Sequence, residues 1–481
     1  MPRPFTPLAL VTTIACALLL AAATTSTGQD ASPAAGRTAV SYSDATPVFA
    51  ALRDDLLPVE LRGKTSVERE AIWPTWLSRR DAAIRARVED GDADAIINLL
   101  QFGTAFTTEP RITEREPAGV LVRQAGTGAT AFLPSPVLRA RIADFVSALA
   151  APGRNERLQF ARTVIERTGM TLTTEAGTNR IRRYLEERTS VVGNAPHAST
   201  LVDPNADLRT RTTIFSDRGL ASDTAIWIDF GIERALEAAK SRGLLQPGSV
   251  HRVGVLGPGL DFSDKQEGYD FYPEQSIQPF ALVDSLSRLG LSASSGVRVD
   301  ALDLSPRVIG HLDAARMRAR AGVPYTLVLP RNLAQPWTAD LVRYWEGFGD
   351  RIGVAVQTSQ PPTTAGRVAV RSVRVRPAVA ASLFAHDVNI VVQRLESLAE
   401  ADRFDLIVAS NILIYYDVFE QSLAAANLAA MLRPGGLLFS NDRIFELPGG
   451  PVVSAGHTDV TYMQVPDGGQ RGDRIEWYQR R

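Results

Sequence analysis

Cysteine is almost missing from this chain. Cys16 is the only one in 481 residues, and it lies inside an apolar run near the amino terminus. A single thiol excludes an internal disulfide, and none follows that run to serve as a nucleophile or metal ligand. Lysine is nearly as scarce, confined to Lys64, Lys240 and Lys265. The remaining basic residues are arginine, which reads as coding bias before function. They are balanced by acids to a net charge of −1, so the chain as a whole shows no electrostatic preference for nucleic acid. No histidine pair stands at metal-ligand spacing and no acidic run matches an EF-hand loop, so no metal site is expected. After the amino-terminal run, no apolar stretch is long enough to span a membrane.

What is present begins with that run. Arg3 precedes an apolar segment from Leu8 to Ala23, which ends in Ala21-Ala22-Ala23 before a Thr/Ser-rich stretch. This is the order of a secretory signal peptide. It implies a periplasmic or secreted protein cleaved after residue 23, or a cytoplasmic one if the start codon is misassigned. Residues 24–45 are rich in small polar residues and read as a flexible lead. From 46 to 245 the spacing of apolar residues is helical. Candidate helices are Pro47 to Leu57, Val67 to Val88, Asp92 to Leu100, Pro136 to Ala150, Asn155 to Thr168, Asn179 to Glu187 and Asp223 to Arg242, the second opened near Ser66.

From 246 to 481 short apolar strands alternate with helices, the pattern of a parallel α/β sheet. Arg252 to Leu256 is strand one and Phe280 to Leu289 its helix. Val297 to Leu302 is strand two, ending at Asp303, with a helix from Pro306 to Ala321. Residues 322–380 exceed an ordinary α/β connection. Ser382 to Val392 holds strand three. Leu406 to Ala409 is strand four, Phe419 to Met431 a helix, Pro434-Gly435-Gly436 its stop and Leu437 to Phe439 strand five. Val460 to Val465 and Arg474 to Tyr478 form a closing hairpin.

Ligands of such sheets bind beyond the carboxyl ends of the strands, which directs attention to four places. Gly257 and Gly259, in Val255-Leu256-Gly257-Pro258-Gly259-Leu260-Asp261, give a small-residue turn after strand one, where backbone can approach a ligand closely. Asp261 follows the turn. Asp303 is a carboxylate after strand two, able to accept from two hydroxyls or to cap the next helix. Asp387 and Asn389 lie in the Ser382–Val392 segment that holds strand three. Asn411 and Tyr415 follow strand four in Asn411-Ile412-Leu413-Ile414-Tyr415-Tyr416. The loop from Asp261 to Gln278 mixes carboxylates with Tyr269, Phe271 and Tyr272 and reads as a lid or collar, with a solvated tyrosine-pinned loop as the plain alternative.

The Asn411–Tyr416 run with Leu432-Arg433-Pro434-Gly435-Gly436 downstream resembles the class I methyltransferases that use S-adenosylmethionine. Within them it is most similar to the chemotaxis-receptor glutamate methyltransferases. The resemblance covers about 249–481. It implies a Rossmann-like sheet with an antiparallel carboxyl-terminal hairpin, preceded here by the helical region. It also implies S-adenosyl-L-methionine as cofactor. Gly257, Gly259, Asp261 and Asn411 would lie along its methionine part, Asp303 on the ribose and Asp387 near adenine. Tyr415 would face the methyl group or substrate, the candidate catalytic residue. Two features depart from the family: Val255 stands where many relatives have an acid, and Asp261 where they have a third glycine. Thr104-Ala105-Phe106-Thr107-Thr108-Glu109 echoes a chemotaxis motif, with Thr108 in place of its arginine and Arg111 nearby. The expected activity is methyl transfer to an oxygen or nitrogen of a small molecule or protein. The alternative is an exported, non-catalytic binding module on the same fold.

Overall fold

Strand one, Arg252–Leu256, is buried at every position. A strand of Val, Gly and Leu with both faces covered belongs at the centre of a parallel sheet. In the computed structural model it pairs in parallel with strand two, Arg298–Asp303, on one side and strand four, Phe404–Ala409, on the other. Strand three, Leu383–Asp387, lies outside strand two, and strand five, Leu432–Ser440, outside strand four. The hairpin strands Val452–Gln464 and Gln470–Arg480 follow as six and seven, seven running antiparallel to five. The seven-stranded order is therefore three-two-one-four-five-seven-six. This is the expected Rossmann-like sheet, mostly parallel, with its antiparallel carboxyl-terminal hairpin. The model describes residues 36–113, 117–123, 130–194, 219–221, 224–261, 269–293, 296–358, 360–396, 398–464 and 469–481. The expected signal segment, 1–23, lies outside them, and Gly36–Arg481 forms one compact unit.

Helices Gln278–Arg288 and Pro306–Arg320 cover the sheet as the sequence suggests. Helix Val418–Met431 opens on a capping box, Asp417 with Glu420. It ends at Met431, three residues before the expected stop. Leu432 is already extended, and Pro434-Gly435-Gly436 lies within strand five, where the pairing with strand four shifts register between Phe404 and Leu406. The triplet is a bulge at the start of a strand, a place where glycine with positive φ is accommodated.

Four segments differ from expectation, among them a hairpin, Gly119–Arg123 with Thr130–Pro134, in the region expected to be helical. The long connection after the second helix forms a three-stranded antiparallel sheet, Tyr325–Asn332, Val368–Val375 and Gly353–Val356, with helix Ala339–Gly347. The alternation of Tyr325, Leu327 and Leu329 on its buried face is the signal that marks it. The two helices expected at Val67–Val88 and Asp92–Leu100 are one, Ser66–Phe102, capped by Thr65. Gly91 does not break it: a Cβ there would lie 1.9 Å from the carbonyl oxygen of Leu220, so glycine lets another segment cross the helix. The expected flexible lead is ordered from Arg37. Arg37–Ala39 pairs with Gln393–Leu395, and Ser41 starts the helix Tyr42–Ala51 with a capping box.

The amino-terminal helices sit on the sheet domain through an aromatic cluster. Phe49 and Trp76 meet Phe419 at 5.3 and 5.5 Å between ring centroids, and Trp73 stacks on Trp76 at 5.1 Å. Arg80 is paired with the fully buried Glu420. Among the described residues no helix is long and apolar enough to cross a membrane.

Beneath strands one to three, Asp300 gathers three partners: Arg252 Nε at 2.8 Å, Arg298 Nη2 at 3.0 Å and His386 Nε2 at 2.7 Å. Burial opposes its ionisation, yet the hydrogen bonds from His386, Arg252 and Arg298 outweigh it and hold the carboxyl far below the ordinary range. His386 is thus a structural residue. Asp300→Ala should lower stability by about 3–5 kcal/mol, the cost of stranding buried cations. Because its folded pKa is depressed, the contribution is complete above about pH 4 and is lost as pH falls towards the folded value. Urea melts at pH about 7 and about 3 should show that acid-sensitive part in the wild type and not in the variant. Equal melts at pH 7 would refute the assignment.

Candidate functional site

Parallel pairing brings the expected residues to one edge. Leu256 aligns with Leu302 and with Ala409, and Asp303 aligns with Asp387, so the chain leaves all four strands at the same end of the sheet. After Leu256 the backbone turns through Gly257 and Gly259, both at positive φ (55° and 63°). The Gly257 N–H donates to Leu302 O at 2.9 Å, pinning the turn to strand two. A Cβ on Gly257 would stand 2.3 Å from Cδ1 of Ile412.

The turn opens into a cleft of about 590 Å³, its open mouth included. Gly257, Gly259, Leu302 and Asp303 form its floor. Leu304, Val388 and Ile390 make an apolar slot on one side, and Ile412, Tyr415 and Tyr416 the other. Val88, Leu220 and Ala221 of the helical region close over it.

Asp303 is the cleft's carboxylate. Its Oδ1 accepts the Ser305 N–H at 2.8 Å, and the N–H groups of Leu304 and Gly259 also bond to the carboxylate. It therefore ties the glycine turn to the end of strand two and also satisfies a backbone donor at the start of helix Pro306–Arg320. Burial pushes its pKa up to about 6, against the pull of those hydrogen bonds.

Of the other candidates, Asp387, Asn411 and Asp261 are directed elsewhere, and Tyr415 is not. Asp387 binds Arg85 Nη1 at 2.7 Å and Arg37 Nη1 at 2.5 Å. Desolvation works against it, but hydrogen bonds from Arg85 and Arg37 hold its carboxyl below the ordinary value. Asn389 donates to Asp81 at 2.8 Å. Both polar residues after strand three thus fasten the long helix Ser66–Phe102. Asn411 is exposed and left-handed (φ 57°), the one non-glycine in that region among the described residues. It exchanges hydrogen bonds of 2.8 and 2.7 Å with Asn441, after strand five. Ile412 beside it, not Asn411, lines the cleft. Asp261 lines a second cavity. Tyr415 lines the cleft; its carbonyl accepts from Arg87 at 3.0 Å, and the Arg87 guanidinium lies 5.9 Å from its ring centroid. The sequence reading did not include Val88, Leu220, Ala221 or Arg87. Nothing in their local spacing distinguishes them, because their place depends on how the helical region crosses the sheet. Thr104 and Ala105 of the motif-like run donate to Asp270, a structural use.

No family model matches the chain, and no curated protein matches it. Solved structures of methyltransferases align with about half of it. The N-methyltransferase NodS from Bradyrhizobium japonicum WM9 does so at 15% identity over 52% of this chain and 96% of that one, with a TM-score of 0.24. TrmN from Thermus thermophilus aligns at 12% identity over 53% of this chain and 52% of that one, TM-score 0.26. Magnesium protoporphyrin IX methyltransferase from Synechocystis PCC 6803, with bound SAM, aligns at 14% identity over 58% and 100%, TM-score 0.24. Values this low carry no argument about activity or acceptor. The fold rests on the strand order.

Gly257→Ala tests the cleft's geometry. The added methyl needs both a left-handed alanine and displacement of Ile412, so stability should fall by about 2 kcal/mol or more. The Ile412→Ala background should recover part of that loss in a urea melt. Gly257→Ala melting like the wild type would show that the turn is not built as described.

Proposed function

We propose that this chain is an S-adenosylmethionine-dependent methyltransferase acting on an oxygen or nitrogen nucleophile. One observation carries the reading: the glycine turn, the Asp303 carboxylate, the apolar slot and Tyr415 share a single cleft at the carboxyl edge of the sheet. The residues suit the cofactor's parts. Gly257 and Gly259 allow close approach of the methionine portion. Asp303 offers acceptors to the ribose hydroxyls. Leu304, Val388 and Ile390 would enclose adenine. When bound, the cofactor supplies an electrophilic methyl group on a sulfonium sulfur. The chain's own task is alignment and exclusion of water. Val88, Leu220 and Ala221 exclude water at the mouth, and Tyr415 would orient the acceptor. With Asp387 and Asn389 committed to the long helix, the adenine slot is read here mainly by shape.

The finer likeness to chemotaxis-receptor glutamate methyltransferases remains part of the proposal and rests on the Asn411–Tyr415 run. A small molecule or protein as acceptor, and action outside the cytoplasm, belong to the same proposal. The second is tested by the mass of the native protein, whose chain should begin near Thr24.

Asp303 gives the decisive experiment. Ribose hydroxyls donate to the ionised carboxylate, so binding favours loss of its proton. Affinity for S-adenosylmethionine should rise with pH through about 6, and calorimetry near that pH in buffers of different ionisation enthalpy should show proton release. Asp303→Ala should weaken binding about ten- to a hundredfold, and Asp303→Asn less, since one acceptor survives. The stability effect has its own sign. A carboxylate whose folded pKa is raised disfavours the folded state as pH climbs from about 4 to 6, and Asp303→Asn should flatten that slope in urea melts. Unchanged affinity beside a lowered melt midpoint would reduce Asp303 to a helix-start residue. No binding by the wild type at millimolar ligand would overturn the methyltransferase reading.

A further inference from the structure

A second cavity, of about 480 Å³ with its open mouth included, lies beside Asp261 just after the glycine turn. The chain itself relates the two spaces. Gly259 lines the first and Asp261 the second; Leu220 and Ala221 line the first and Thr224 to Trp227 the second. Four rings face the second cavity, those of Trp227, Tyr269, Tyr272 and Trp337. Such walls take a flat or apolar body, and they also favour a cation over their faces.

The charged element in this wall is Asp261, beside the polar Thr224 and Asn332. Tyr272 Oη donates to its Oδ2 at 2.9 Å and Gln275 Nε2 donates to the same oxygen at 2.6 Å. Among the described residues no hydrogen bond reaches Oδ1. Asp229, on the helix Ile226–Ser241 that begins at this cavity, is buried, and its Oδ2 meets no donor. Burial raises both carboxyls, and the negative charge of Asp261 raises Asp229 further. The charge of Arg157 acts on Asp261 from nearby and partly offsets the burial. Arg157 donates to the backbone oxygens of Tyr272 and Asp261, and Arg331 lies over the Trp337 ring at 5.4 Å. A positive charge entering beside Oδ1 would relieve the repulsion between the two acids and meet an open acceptor.

We propose that this cavity binds a protonated organic amine, its apolar body between the rings and its ammonium group on Asp261. The binding is independent of the methyltransferase reading above.

The test uses the full chain and three probes of similar shape: phenethylamine, 2-phenylethanol and 3-phenylpropionate, titrated by calorimetry at pH about 8, above the ordinary carboxylate range and below that of an aliphatic amine. The amine should bind at least tenfold more tightly than the alcohol, and the carboxylate most weakly. Asp261→Asn should bring the amine down to the level of the alcohol, a loss of roughly ten- to a hundredfold. Thr224→Trp, which fills the cavity from its rim, should weaken both. Urea melts of each variant establish that it is folded. Equal binding of amine and alcohol, tighter binding of the carboxylate, no binding of any probe, or an amine preference that survives Asp261→Asn would each overturn the proposal. Titration with S-adenosylmethionine separates the two readings. An unchanged cofactor affinity in Asp261→Asn assigns the amine site alone, whereas a wild type that binds the amine and not the cofactor refutes only methyl transfer.

Discussion

The pairing of strand one between strands two and four is the constraint on which the rest depends. Its five residues are buried, so their backbone groups must be satisfied within the sheet, and parallel ladders on both sides achieve that. Parallel strands all leave at the same end. Once Leu256 is in register with Leu302 and Ala409, the glycine turn, Asp303 and the Asn411–Tyr416 run have to meet above one edge. The site is a consequence of topology before any side chain is chosen. The turn then needs glycine for a local reason: Gly257 adopts a left-handed backbone directly against Ile412.

The helical region is held to that edge by charge as well as by rings. The aromatic cluster of Phe49, Trp73, Trp76 and Phe419 contributes area without direction. The ion pairs supply direction. Arg80 meets Glu420, Arg85 meets Asp387, and Asp81 accepts from Asn389, all within two turns of one helix. Buried or half-buried pairs add little net stability, since desolvation offsets attraction, but a misplaced partner would be costly. They therefore fix the helix's rotation and register, and that places Val88 at the cleft. Gly91 extends the same logic by letting the segment carrying Leu220 and Ala221 cross the helix in contact.

The legible parts of the sequence were those in which one chain segment decides its own state. Arg252–Leu256 and Pro136–Ala150 fall where the apolar pattern puts them, and strands two and four lie within about two residues of expectation; the closing hairpin is where it was expected, but its first strand begins at Val452 rather than Val460. Pattern was less informative where it was diluted. The inserted three-stranded sheet has one half-buried strand of clear alternation and two others with mixed burial. The direction of site side chains was not legible at all. Asp387 ends strand three and Asn411 follows strand four, but what they face is set by Arg85, 302 positions away, and by Asn441. Spacing within a segment contains no information about such partners.

Asp303 shows how a carboxylate built into the scaffold can keep acceptor capacity to spare. Three backbone N–H groups bond to it, which would ordinarily stabilise its ionised form, yet burial with Asp387 in the neighbourhood holds its pKa at about 6. Arg85 and Arg37 are hydrogen-bonded to Asp387, so they neutralise that neighbour rather than Asp303 itself. The balance leaves Asp303 short of positive partners at the floor of an otherwise apolar cleft. A ligand bearing hydroxyl donors and a positive sulfonium would supply what the fold withholds. The arginines that fasten the helical region to strand three therefore also act on the cleft: by pairing with Asp387 they keep cationic charge away from Asp303, and the open acceptor capacity stays at the point where strand two ends and the glycine turn begins.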